Sequence, residues 1–460
     1  MNTKHKRHIV ILAAGAGTRM RSKKLKVLHQ VAGLAMVSHV YQLAQSLNPS
    51  QITMVFGHQG EQLKSHFEGV KVNWAEQKEL LGTGHAVQQA VPYFKDDEDV
   101  LVLYGDAPLV TINDFEANGV HPFVLTAVLD NPAGYGRIIK SGDFISAIVE
   151  EKDANEAEKQ VNEINSGIIQ APAKQLTEWL NRLSNDNNQG EYYLTDVIAM
   201  AATDNTPFEA VVLADSNAVK GANDMFQLAD LEAIYQNRVR TQLMKNGVRL
   251  INPETIDIRG KFSHGTDVVI DKGVVLSGVN ELGNDVMIGS HCVIKNCQLA
   301  AGTVIEPHSV LDGVVTNGAC SVGPFARLRI GTTLSEGCKI GNFVETKKTS
   351  FGQGSKASHL SYLGDAEIGN AVNIGAGTIT CNYDGVNKFK TEIGDGAFIG
   401  SNSSLVAPVK IGNGATVGAG RLSGPLSVFH LLRITRSRSF GELKPSVGSL
   451  ILLPSVGFTK

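Results

Sequence analysis

The chain has 460 residues, with 42 lysines and arginines against 45 aspartates and glutamates and a formal net charge of −3. A chain of this length exceeds the size at which one hydrophobic core usually stops growing, so two domains or an elongated repeat are expected. The charge balance leaves no cationic surplus for a phosphate backbone, which argues against nucleic acid as a partner.

The cysteines and the N-terminal residues bear on the compartment. Five cysteines are present, an odd number with no Cys-x-x-Cys pair, which favours free thiols in a reducing compartment over a disulfide framework or a zinc knuckle. The basic residues 4–8 precede only six apolar residues, 9–14, too few for a signal-peptide core or a membrane span. We therefore expect a soluble, cytoplasmic protein with no membrane partner. The cysteines are Cys292, Cys297, Cys320, Cys338 and Cys381.

Short apolar runs alternate with polar, helix-like stretches in the first half of the chain. This alternation predicts an α/β domain, Rossmann-like, with a mostly parallel sheet and helices on its faces. Over residues 223–245 apolar side chains recur every three or four positions and Gly247 follows, which predicts a long linker helix with a glycine at its C-terminal end. The apolar runs are residues 9–14, 52–56, 100–103, 123–128 and 210–213.

A six-residue period follows this helix. It occurs over residues 270–294 and again over 393–417, and its register is disturbed between about 299 and 368. Hexapeptide periodicity is typical of a left-handed parallel β-helix, and a glycine-rich β-sandwich with chance spacing is the alternative. Because such a solenoid has open ends and flat faces, we expect a homotrimer. The periodic residues are Ile270, Leu276, Leu282, Ile288 and Ile294, then Ile393, Ile399, Leu405, Ile411 and Val417.

The segment LAAGAGTRM, residues 12–20, joins the first predicted strand to a helix-like stretch, where backbone N–H groups and a helix dipole can hold an anion. It lacks the ending of a Walker loop, and Met20 replaces the third glycine of the dinucleotide fingerprint. Its small residues let the chain pass under a base and ribose, while Arg19 and Lys26 supply positive charge for phosphates. A simple glycine turn is the alternative.

Tyr104-Gly105-Asp106 follows the apolar run 100–103 and places a carboxylate at the carboxyl edge of the predicted sheet, where α/β proteins bind ligands. Mg²⁺ takes one or two protein oxygen ligands plus substrate phosphates, so Asp106 with a distant helper such as Asn223 is a candidate magnesium site. Asp106 as a cap or turn residue is the alternative.

Motifs from both halves of the chain occur together in one order. The first half contains LAAGAGTRM, Lys26, LGTGHA, YGD, GYGRI, VEEKDA, EINSGI, QGEYYLTD and KGAN, and the second contains GNFVETKK, HLSYLGD, NIGAGTITCNYDG and NKFKT. Over residues 9–420 they resemble the bacterial bifunctional N-acetylglucosamine-1-phosphate uridyltransferase and glucosamine-1-phosphate N-acetyltransferase family. The resemblance implies acetyl transfer from acetyl-CoA to glucosamine 1-phosphate, then uridyl transfer from UTP with release of pyrophosphate. The implied product, UDP-N-acetylglucosamine, is a precursor for peptidoglycan and lipopolysaccharide.

The resemblance also implies a domain organisation and a first site. A uridyltransferase domain would cover residues 1–226, a linker helix 227–247, a left-handed β-helix acetyltransferase domain 248–420 and an atypical tail 421–460. In the first site Arg19 would be catalytic, and Asp106 with Asn223 would bind Mg²⁺. The implied nucleotide and sugar ligands are Leu12, Ala13, Ala14, Gly15, Lys26, Gln77, Gly82, Thr83, Tyr104, Gly105, Asp106, Gly136, Glu150, Asn165 and Asn223.

For the second site the resemblance implies His359 as the general base, a residue type suited to taking a proton from an amine near neutral pH. The implied sugar-phosphate ligands are Arg329, Lys347, Tyr362, Asn373 and Lys388. The implied acetyl-CoA ligands are Ala376, Asn382, Tyr383, Ser401, Ala419 and Arg436. Because coils lie side by side in a trimer, this site would be shared between subunits.

The chain departs from the family pattern next to several of these ligands. The segment 111–120 is shorter than the family's helix, and after Gly420 the family's closing strand and tail are not recognisable, although Arg436 stands at the spacing expected for the coenzyme-contacting arginine. The single-residue departures are Leu25 for proline, Lys220 for an acid and Ile330 for proline.

Two other functions compete with this interpretation. One keeps the sugar-1-phosphate nucleotidyltransferase and makes the β-helix a non-catalytic oligomerising or regulatory module, against which His359 with Lys347, Arg329 and Tyr362 argues. The other is a trimeric scaffold or sugar-binding protein, against which Asp106 and the cations between Arg19 and Lys26 argue.

Overall fold

The computed structural model describes residues 6–15, 17–115 and 122–424, so the predicted ligand Arg436 lies outside the described residues. The α-helices of these residues are α1 Met36–Ser46, α2 Gly60–His66, α3 Thr83–Gln88, α4 Ala173–Leu180, α5 Asp196–Thr203 and α6 Met225–Lys245. The 3-10 helices of the same residues are Thr18–Met20, Lys26–Leu28, Val91–Tyr93, Ile112–Phe115, Glu158–Gln160, Ser216–Val219 and Pro253–Thr255.

Within the described residues, nine strands of the first half form one sheet in the order β5-β4-β1-β6-β10-β7-β11-β9-β8, and β2 pairs with β3 separately. The strands are β1 Lys6–Ala13, β2 Gln30–Val31, β3 Leu34–Ala35, β4 Gln51–Phe56, β5 Asn73–Glu76, β6 Glu98–Tyr104, β7 Phe123–Val128, β8 Arg137–Ser141, β9 Phe144–Val149, β10 Glu163–Pro172 and β11 Phe208–Val212.

The sheet is mixed, whereas the apolar runs predicted a mostly parallel one. Strands β5, β4, β1 and β6 are parallel, as are β7 and β11, but β10 runs antiparallel to β6 and β7. Strands β8 and β9 are joined only by Gly142 and Asp143, with Gly142 at a φ of 65°. So short a loop can join only antiparallel neighbours, and left-handed backbone suits glycine. The apolar runs carried no information on strand direction.

A hydrophobic core lies on each face of the sheet, which explains why the sequence of β1 contains an unbroken run of apolar residues. Ile9 and Ile11 pack into the core on one face, and Val10 and Leu12 pack into the core on the other. A strand buried on both sides has no need of polar alternation. The carboxyl ends of β1 and β6 therefore emerge side by side from a rigid core.

His8 lies on β1, towards the end of the sheet opposite to those carboxyl ends, and is fully buried. Gln51 donates to its Nδ1 at 3.1 Å, so the imidazole carries its proton on Nε2, which lies 2.8 Å from Thr53 Oγ1. Burial lowers the pKa of His8 from its ordinary 6.5 to about 4, although the nearby Glu98 carboxylate opposes this shift. The fold therefore holds His8 in its neutral form.

We expect the first domain to lose stability as the pH falls from 6.5 towards 4. In that interval the unfolded chain binds a proton at His8 and the folded chain does not, so the free energy of unfolding should fall by on the order of 2 kcal/mol. Both tryptophans of the chain, Trp74 and Trp179, lie in this domain, so urea denaturation followed by tryptophan fluorescence at pH 7 and pH 4.5 measures the change. The non-titrating variant His8→Gln should lose less stability than the wild type, and equal losses would contradict the prediction.

Helix α6 connects the two halves, and its side chain Gln236 makes buried hydrogen bonds to the β-helix. At its start Asp224 accepts a hydrogen bond from the Gln227 backbone N–H at 2.8 Å, and beyond its end Gly247 has a φ of 94°, in agreement with the predicted glycine. In its middle Gln236 donates to the Ile258 carbonyl and accepts from the Ile258 N–H, both at 2.9 Å. These contacts fix the first coil of the second half against the helix.

Residues 249–423 of the second half form a parallel β-helix. In the described residues its strands form ladders of ten and fifteen members, and all neighbouring strands in them run parallel. The strands are β12 Arg249–Leu250, β13 Asp257–His264, β14 Val269–Ile270, β15 Val275–Leu282, β16 Met287–Ile288, β17 Val293–Lys295, β18 Gln298–Leu299, β19 Val304–Ile305, β20 Val310–Asp312, β21 Val315–Thr316, β22 Ser321–Val322, β23 Arg327–Leu328, β24 Thr333–Leu334, β25 Lys339–Asn342, β26 Glu345–Phe351, β27 Lys356–His359, β28 Tyr362–Ile368, β29 Asn373–Ile374, β30 Ile379–Cys381, β31 Thr391–Ile393, β32 Phe398–Ile399, β33 Ser404–Val406, β34 Val409–Ile411, β35 Thr416–Val417 and β36 Leu422–Ser423.

The predicted periodic residues point inward: eight of the ten are buried, and Ile411 and Val417 are half-buried. The disturbed register has a simple cause. Ile270 pairs with Ile288, three full hexapeptides later, whereas Ile288 pairs with Ile305, which comes one position earlier than three hexapeptides would place it. A slightly shortened coil therefore shifts the sequence period while the coils continue through this stretch without a break.

Among the coils of the described residues, one is longer than the others. Ile374 pairs with Ile399, just over four hexapeptides further along the chain, and the additional length forms the segment between β30 and β31. This segment carries three of the predicted ligands, Asn382, Tyr383 and Lys388. The long coil therefore presents a loop to one side of an otherwise regular solenoid.

A short closing strand, β36, pairs with β33 beyond Gly420, where sequence analysis identified none. All five cysteines lie in the described part of the chain as free thiols, and four of them are buried. None of the helices in the described ranges is both long and apolar enough to cross a membrane.

Candidate functional site

The glycine-rich loop and Asp106 meet at the carboxyl edge of the sheet, as predicted. Leu12 of β1 pairs with Tyr104 of β6, and the Gly105 N–H donates to the Leu12 carbonyl at 2.9 Å. A Cβ atom at Gly105 would lie 3.0 Å from that carbonyl oxygen, so glycine allows the two strand ends this close approach. Asp106 therefore emerges directly beside the loop.

Lys26 joins Asp106 to a residue far away in sequence. Its Nζ lies 2.5 Å from Asp106 Oδ2 and 3.2 Å from Asn223 Oδ1. The Lys26 and Asp106 side chains are only 13% and 19% exposed. Two oxygen atoms, one charged and one neutral, thus converge on a single cation position between β6 and α6.

Predicted nucleotide ligands line one cavity of about 310 Å³, here called the loop cavity. Four further lining residues were not predicted: Val27, Leu80, Ala86 and Glu191. Gly105 is not among the lining residues, and its N–H donates to the Leu12 carbonyl instead. The predicted residues that line the cavity are Leu12, Ala13, Ala14, Gly15, Lys26, Gln77, Gly82, Thr83, Tyr104 and Asp106.

The wall of the loop cavity is held by side-chain hydrogen bonds to the backbone. Gln77 is buried, and its amide Nε2 donates to the Gly82 carbonyl at 3.1 Å. Thr83 Oγ1 accepts from the Leu194 N–H at 3.1 Å. A Cβ atom at Gly82 would lie 2.6 Å from the Tyr192 carbonyl oxygen. These contacts fix the segment opposite the glycine-rich loop.

A second cavity of about 380 Å³ shares Tyr104 and Asp106 with the loop cavity. It is also lined by the predicted residues Arg19 and Asn223, and Arg19 is exposed there. The unpredicted lining residue Gln227 accepts a hydrogen bond from the Asn223 N–H at 2.8 Å through its side-chain oxygen. The sequence signal for Gln227 was available, since it is the third residue after the helix cap Asp224.

Gly136, Glu150 and Asn165 lie together near this second cavity. The Asn165 N–H donates to the Gly136 carbonyl at 2.9 Å, and a Cβ atom at Gly136 would come within 3.4 Å of the Glu150 carboxylate oxygens. Thr195 donates to Glu150 at 3.1 Å, while burial raises the pKa of Glu150. Burial also raises the pKa of Tyr104, and the Glu150 and Asp106 carboxylates add to that shift.

The two departures near this site leave its geometry intact. The Leu25 N–H donates to Gln62 Oε1 at 3.1 Å, which fixes the backbone just before Lys26. Lys220 forms an ion pair with Asp230 on α6 at 3.2 Å. Lys26 and Asn223 remain in contact despite both changes.

On the β-helix, His359 is exposed at the end of β27 and stacks in register on Asn342 of β25. Its Nδ1 lies 2.8 Å from Asn342 Oδ1. The hydrogen-bond pattern therefore places the imidazole proton on Nδ1 and leaves the Nε2 lone pair facing solvent. Asn342 was not among the predicted residues.

Three predicted cations of the β-helix lie close enough to one another to interact. The positive charges of Lys388 and Arg329 lower the pKa of Lys347, so both lie near the Lys347 ammonium. Arg329 is partly compensated by Glu345 at 2.9 Å. A Cβ atom at Gly364, the ladder partner of Lys347, would lie 2.4 Å from the Tyr362 hydroxyl, so Tyr362 projects over the same face. Such a cluster can hold a dianion.

The predicted coenzyme ligands follow one another along later coils. The Ala376 carbonyl accepts from the Asn402 N–H at 2.7 Å, and the Ser401 carbonyl accepts from the Gly420 N–H at 2.8 Å, so Ala376, Ser401 and Ala419 lie on stacked turns. Asn382 donates to Asp365, and Tyr383 is 59% exposed. Asn373 lies on β29, one coil beyond Lys356 of β27.

Comparison with known families matches one segment in each half of the chain. Residues 9–117 match the MobA-like NTP transferase domain, and residues 390–420 match the bacterial transferase hexapeptide with six repeats. The chain joins an NTP transferase domain to hexapeptide repeats. The first match contains the glycine-rich loop and Asp106, and the second contains Ser401 and Ala419. The fold is accordingly a Rossmann-like nucleotidyltransferase domain followed by a parallel β-helix.

Two solved structures resemble part of the chain. A UDP-glucose pyrophosphorylase complexed with UDP-glucose has 16% sequence identity and a TM-score of 0.42, and the match covers 51% of this chain and 99% of that one. A putative glucose-1-phosphate thymidylyltransferase from Bacillus anthracis in complex with a sucrose has 19% identity and a TM-score of 0.41, with 50% of this chain and 94% of that one covered.

Proposed function

We propose that the chain makes UDP-N-acetylglucosamine in two steps: acetyl transfer to glucosamine 1-phosphate on the β-helix, and uridyl transfer to N-acetylglucosamine 1-phosphate in the first domain. The observation that carries the uridyl-transfer step is the convergence of Lys26, Asp106 and Asn223 beside the loop cavity. The product would supply peptidoglycan and lipopolysaccharide synthesis in the cytoplasm.

In uridyl transfer, a phosphate oxygen of the sugar phosphate attacks the α-phosphorus of UTP, the bond from that phosphorus to the bridging oxygen breaks, and pyrophosphate leaves. The chain's task is to position both substrates and to neutralise charge. The loop backbone from Leu12 to Gly15 would hold the nucleotide, with Lys26 and Arg19 directed at its phosphates. The sugar would lie beside Glu150 and Asn165, next to the second cavity, which shares Tyr104 and Asp106 with the first.

The donor atoms at this junction fit magnesium. Asp106 supplies a carboxylate oxygen and Asn223 an amide oxygen, both already directed at one cation position, and phosphate oxygens of the substrate would complete the coordination. Bound there, Mg²⁺ would stabilise the negative charge that develops on the transferring phosphoryl group and on the leaving pyrophosphate. Gln227 supports this arrangement through its hydrogen bond to the Asn223 backbone.

In acetyl transfer, the amine of glucosamine 1-phosphate attacks the thioester carbonyl carbon, the carbon–sulfur bond breaks and coenzyme A leaves as the thiol. His359 would take the amine proton on Nε2, because Nδ1 is held by Asn342. Arg329, Lys347 and Lys388 would bind the sugar phosphate. The coenzyme would lie along Ala376, Ser401 and Ala419, with Asn382, Tyr383 and Arg436 as its further ligands, and a homotrimer would complete this site with a neighbouring β-helix.

Two assays on one sample test both steps. The first follows pyrophosphate from UTP plus N-acetylglucosamine 1-phosphate with Mg²⁺, and the second follows free thiol from acetyl-CoA plus glucosamine 1-phosphate. Both signals are expected. Pyrophosphate without thiol would support the alternative in which the β-helix is not catalytic, and absence of pyrophosphate would refute uridyl transfer.

A substitution at Gly15 tests whether the loop cavity binds the nucleotide, because it should change UTP affinity without changing the stability of the fold. A Cβ atom at Gly15 would meet nothing within 4 Å and would point into open space, so Gly15→Ala should leave tryptophan-monitored unfolding within about 0.5 kcal/mol of the wild type. It should nevertheless weaken UTP binding, measured by calorimetry, about tenfold or more, because the bound nucleotide has to pass close to the added methyl group. The matched control is Gly412→Ala on the β-helix, which also has open space. Unchanged UTP affinity in Gly15→Ala would contradict the assignment.

A further inference from the structure

The cation position between Asp106 and Asn223 is filled by a side chain of the protein itself. Lys26 Nζ lies 2.5 Å from one proposed metal ligand and 3.2 Å from the other. We propose that Lys26 blocks divalent-metal binding in the nucleotide-free protein and leaves this position only when nucleotide phosphates attract it. This inference rests on the proposed uridyl transfer. It adds an order of binding, in which the protein retains the metal only when nucleotide is bound as well.

The stem of Lys26 packs against the glycine-rich loop, and its ammonium is held by the Asp106 and Asn223 side chains. A Cβ atom at Gly17 would lie 2.6 Å from Lys26 Cβ, so the glycine-rich loop packs directly on the base of the side chain. Gly17 has a φ of 59°, the left-handed backbone that suits glycine. Lys26 also lines the loop cavity together with Ala14 and Gly15. Rotation of its outer methylenes would therefore carry the ammonium from Asp106 to the place proposed for the phosphates.

Electrostatic attraction determines whether the Lys26 ammonium lies against the Asp106 carboxylate or against the nucleotide phosphates. In the nucleotide-free protein the ammonium neutralises Asp106, and both side chains are mostly withdrawn from water. A divalent cation approaching the same oxygens would meet a like charge within a few ångströms, in a setting where water screens weakly. A triphosphate offers Lys26 several negative oxygens in exchange, which releases Asp106 and Asn223. Metal and nucleotide should then strengthen each other's binding by the same factor.

A purely structural ion pair is the alternative, in which Lys26 orients Asp106 and metal binding does not require its departure. The two possibilities differ without any turnover. If Lys26 competes with the metal, removing its charge should create metal affinity in the absence of nucleotide. If Lys26 only orients Asp106, its removal should leave metal affinity unchanged or lower it.

The experiment measures Mn²⁺ binding to the nucleotide-free full-length chain by the electron paramagnetic resonance signal of free Mn²⁺. Lys26→Met should bind one Mn²⁺ at least about tenfold more tightly than the wild type. The double variant Lys26→Met/Asp106→Asn should lose that gain, and Lys24→Met, which alters an exposed lysine two residues before Lys26, should match the wild type. Lys26→Ala serves as a second variant, and tryptophan fluorescence checks that each protein is folded.

Two results would overturn the proposal: nucleotide-free wild type that binds Mn²⁺ as tightly as Lys26→Met and Lys26→Ala, or a gain in those variants that survives Asp106→Asn. Pyrophosphate release by the wild type is measured separately. Release together with either of these results refutes only the competition by Lys26, whereas absence of release refutes the proposed function itself.

Discussion

Replacing Asp106 by asparagine is expected to lower the rate of pyrophosphate release from UTP and N-acetylglucosamine 1-phosphate by about two to three orders of magnitude. The substitution keeps the size of the side chain and an oxygen atom but removes the charge that Lys26 contacts at 2.5 Å and that the proposed magnesium needs. Steady-state pyrophosphate assays at saturating and at varied Mg²⁺ measure the effect. The Mg²⁺ concentration for half-maximal rate should rise as well, because a neutral oxygen binds the metal more weakly.

The matched control for this variant is Asp143→Asn, which makes the same chemical change at an exposed position in the β8–β9 turn. It should keep the wild-type rate within about twofold. The second site provides an internal check, since free-thiol release on the β-helix should be the same in both variants. A rate for Asp106→Asn within a few-fold of the wild type would show that Asp106 is a cap or turn residue and not a ligand.

Replacing His359 by alanine is expected to lower free-thiol release from acetyl-CoA and glucosamine 1-phosphate by about two to four orders of magnitude, the usual contribution of a positioned general base. The reason is the single exposed lone pair on Nε2, which exists because Nδ1 is held by Asn342 at 2.8 Å. A thiol-trapping colour assay measures the rate. Pyrophosphate release by the first domain should not change.

His264→Gln is the control for this second variant, because His264 is another β-helix histidine and its Nδ1 contacts only the neighbouring Gly265 carbonyl. It should retain wild-type thiol release. If His359→Ala also retains wild-type release, another group removes the proton and the base assignment is wrong.

Patterns local in sequence predicted much of this molecule. The hexapeptide period identified the β-helix because each inward residue is fixed by its own coil, and Ile270 and Ile288 are ladder partners for that reason. The position of Asp106 beside the loop was also predictable, since parallel strands such as β1 and β6 end at the same edge of a sheet.

Contacts between residues that are distant in sequence could not be predicted from such local patterns. Lys26 meets Asn223, far away in sequence, because α6 begins beside the sheet edge. Asn342 supports His359 only because one coil stacks on the next, and the sequence pattern in that stretch had lost its six-residue register. The direction of β10 likewise depends on its neighbours, not on its composition.

A further example is the row of stacked rings along one corner of the β-helix. His291, His308, Phe325 and Phe343 follow one another one coil apart, and their ring centroids lie 4.8 to 5.5 Å apart. All four have left-handed backbone, with φ between 55° and 60°, so each occupies the same turn of successive coils. Because the coils differ slightly in length and the row mixes two residue types, no sequence pattern indicated it.

The most direct test of the central claim is a phosphorus NMR spectrum of the full-length protein incubated with UTP, N-acetylglucosamine 1-phosphate and MgCl₂. We predict that the UTP and sugar-phosphate signals decline together while those of pyrophosphate and of a sugar-linked diphosphate grow in equal amounts. A spectrum in which UTP and the sugar phosphate persist unchanged, from protein whose tryptophan fluorescence shows it to be folded, would contradict it.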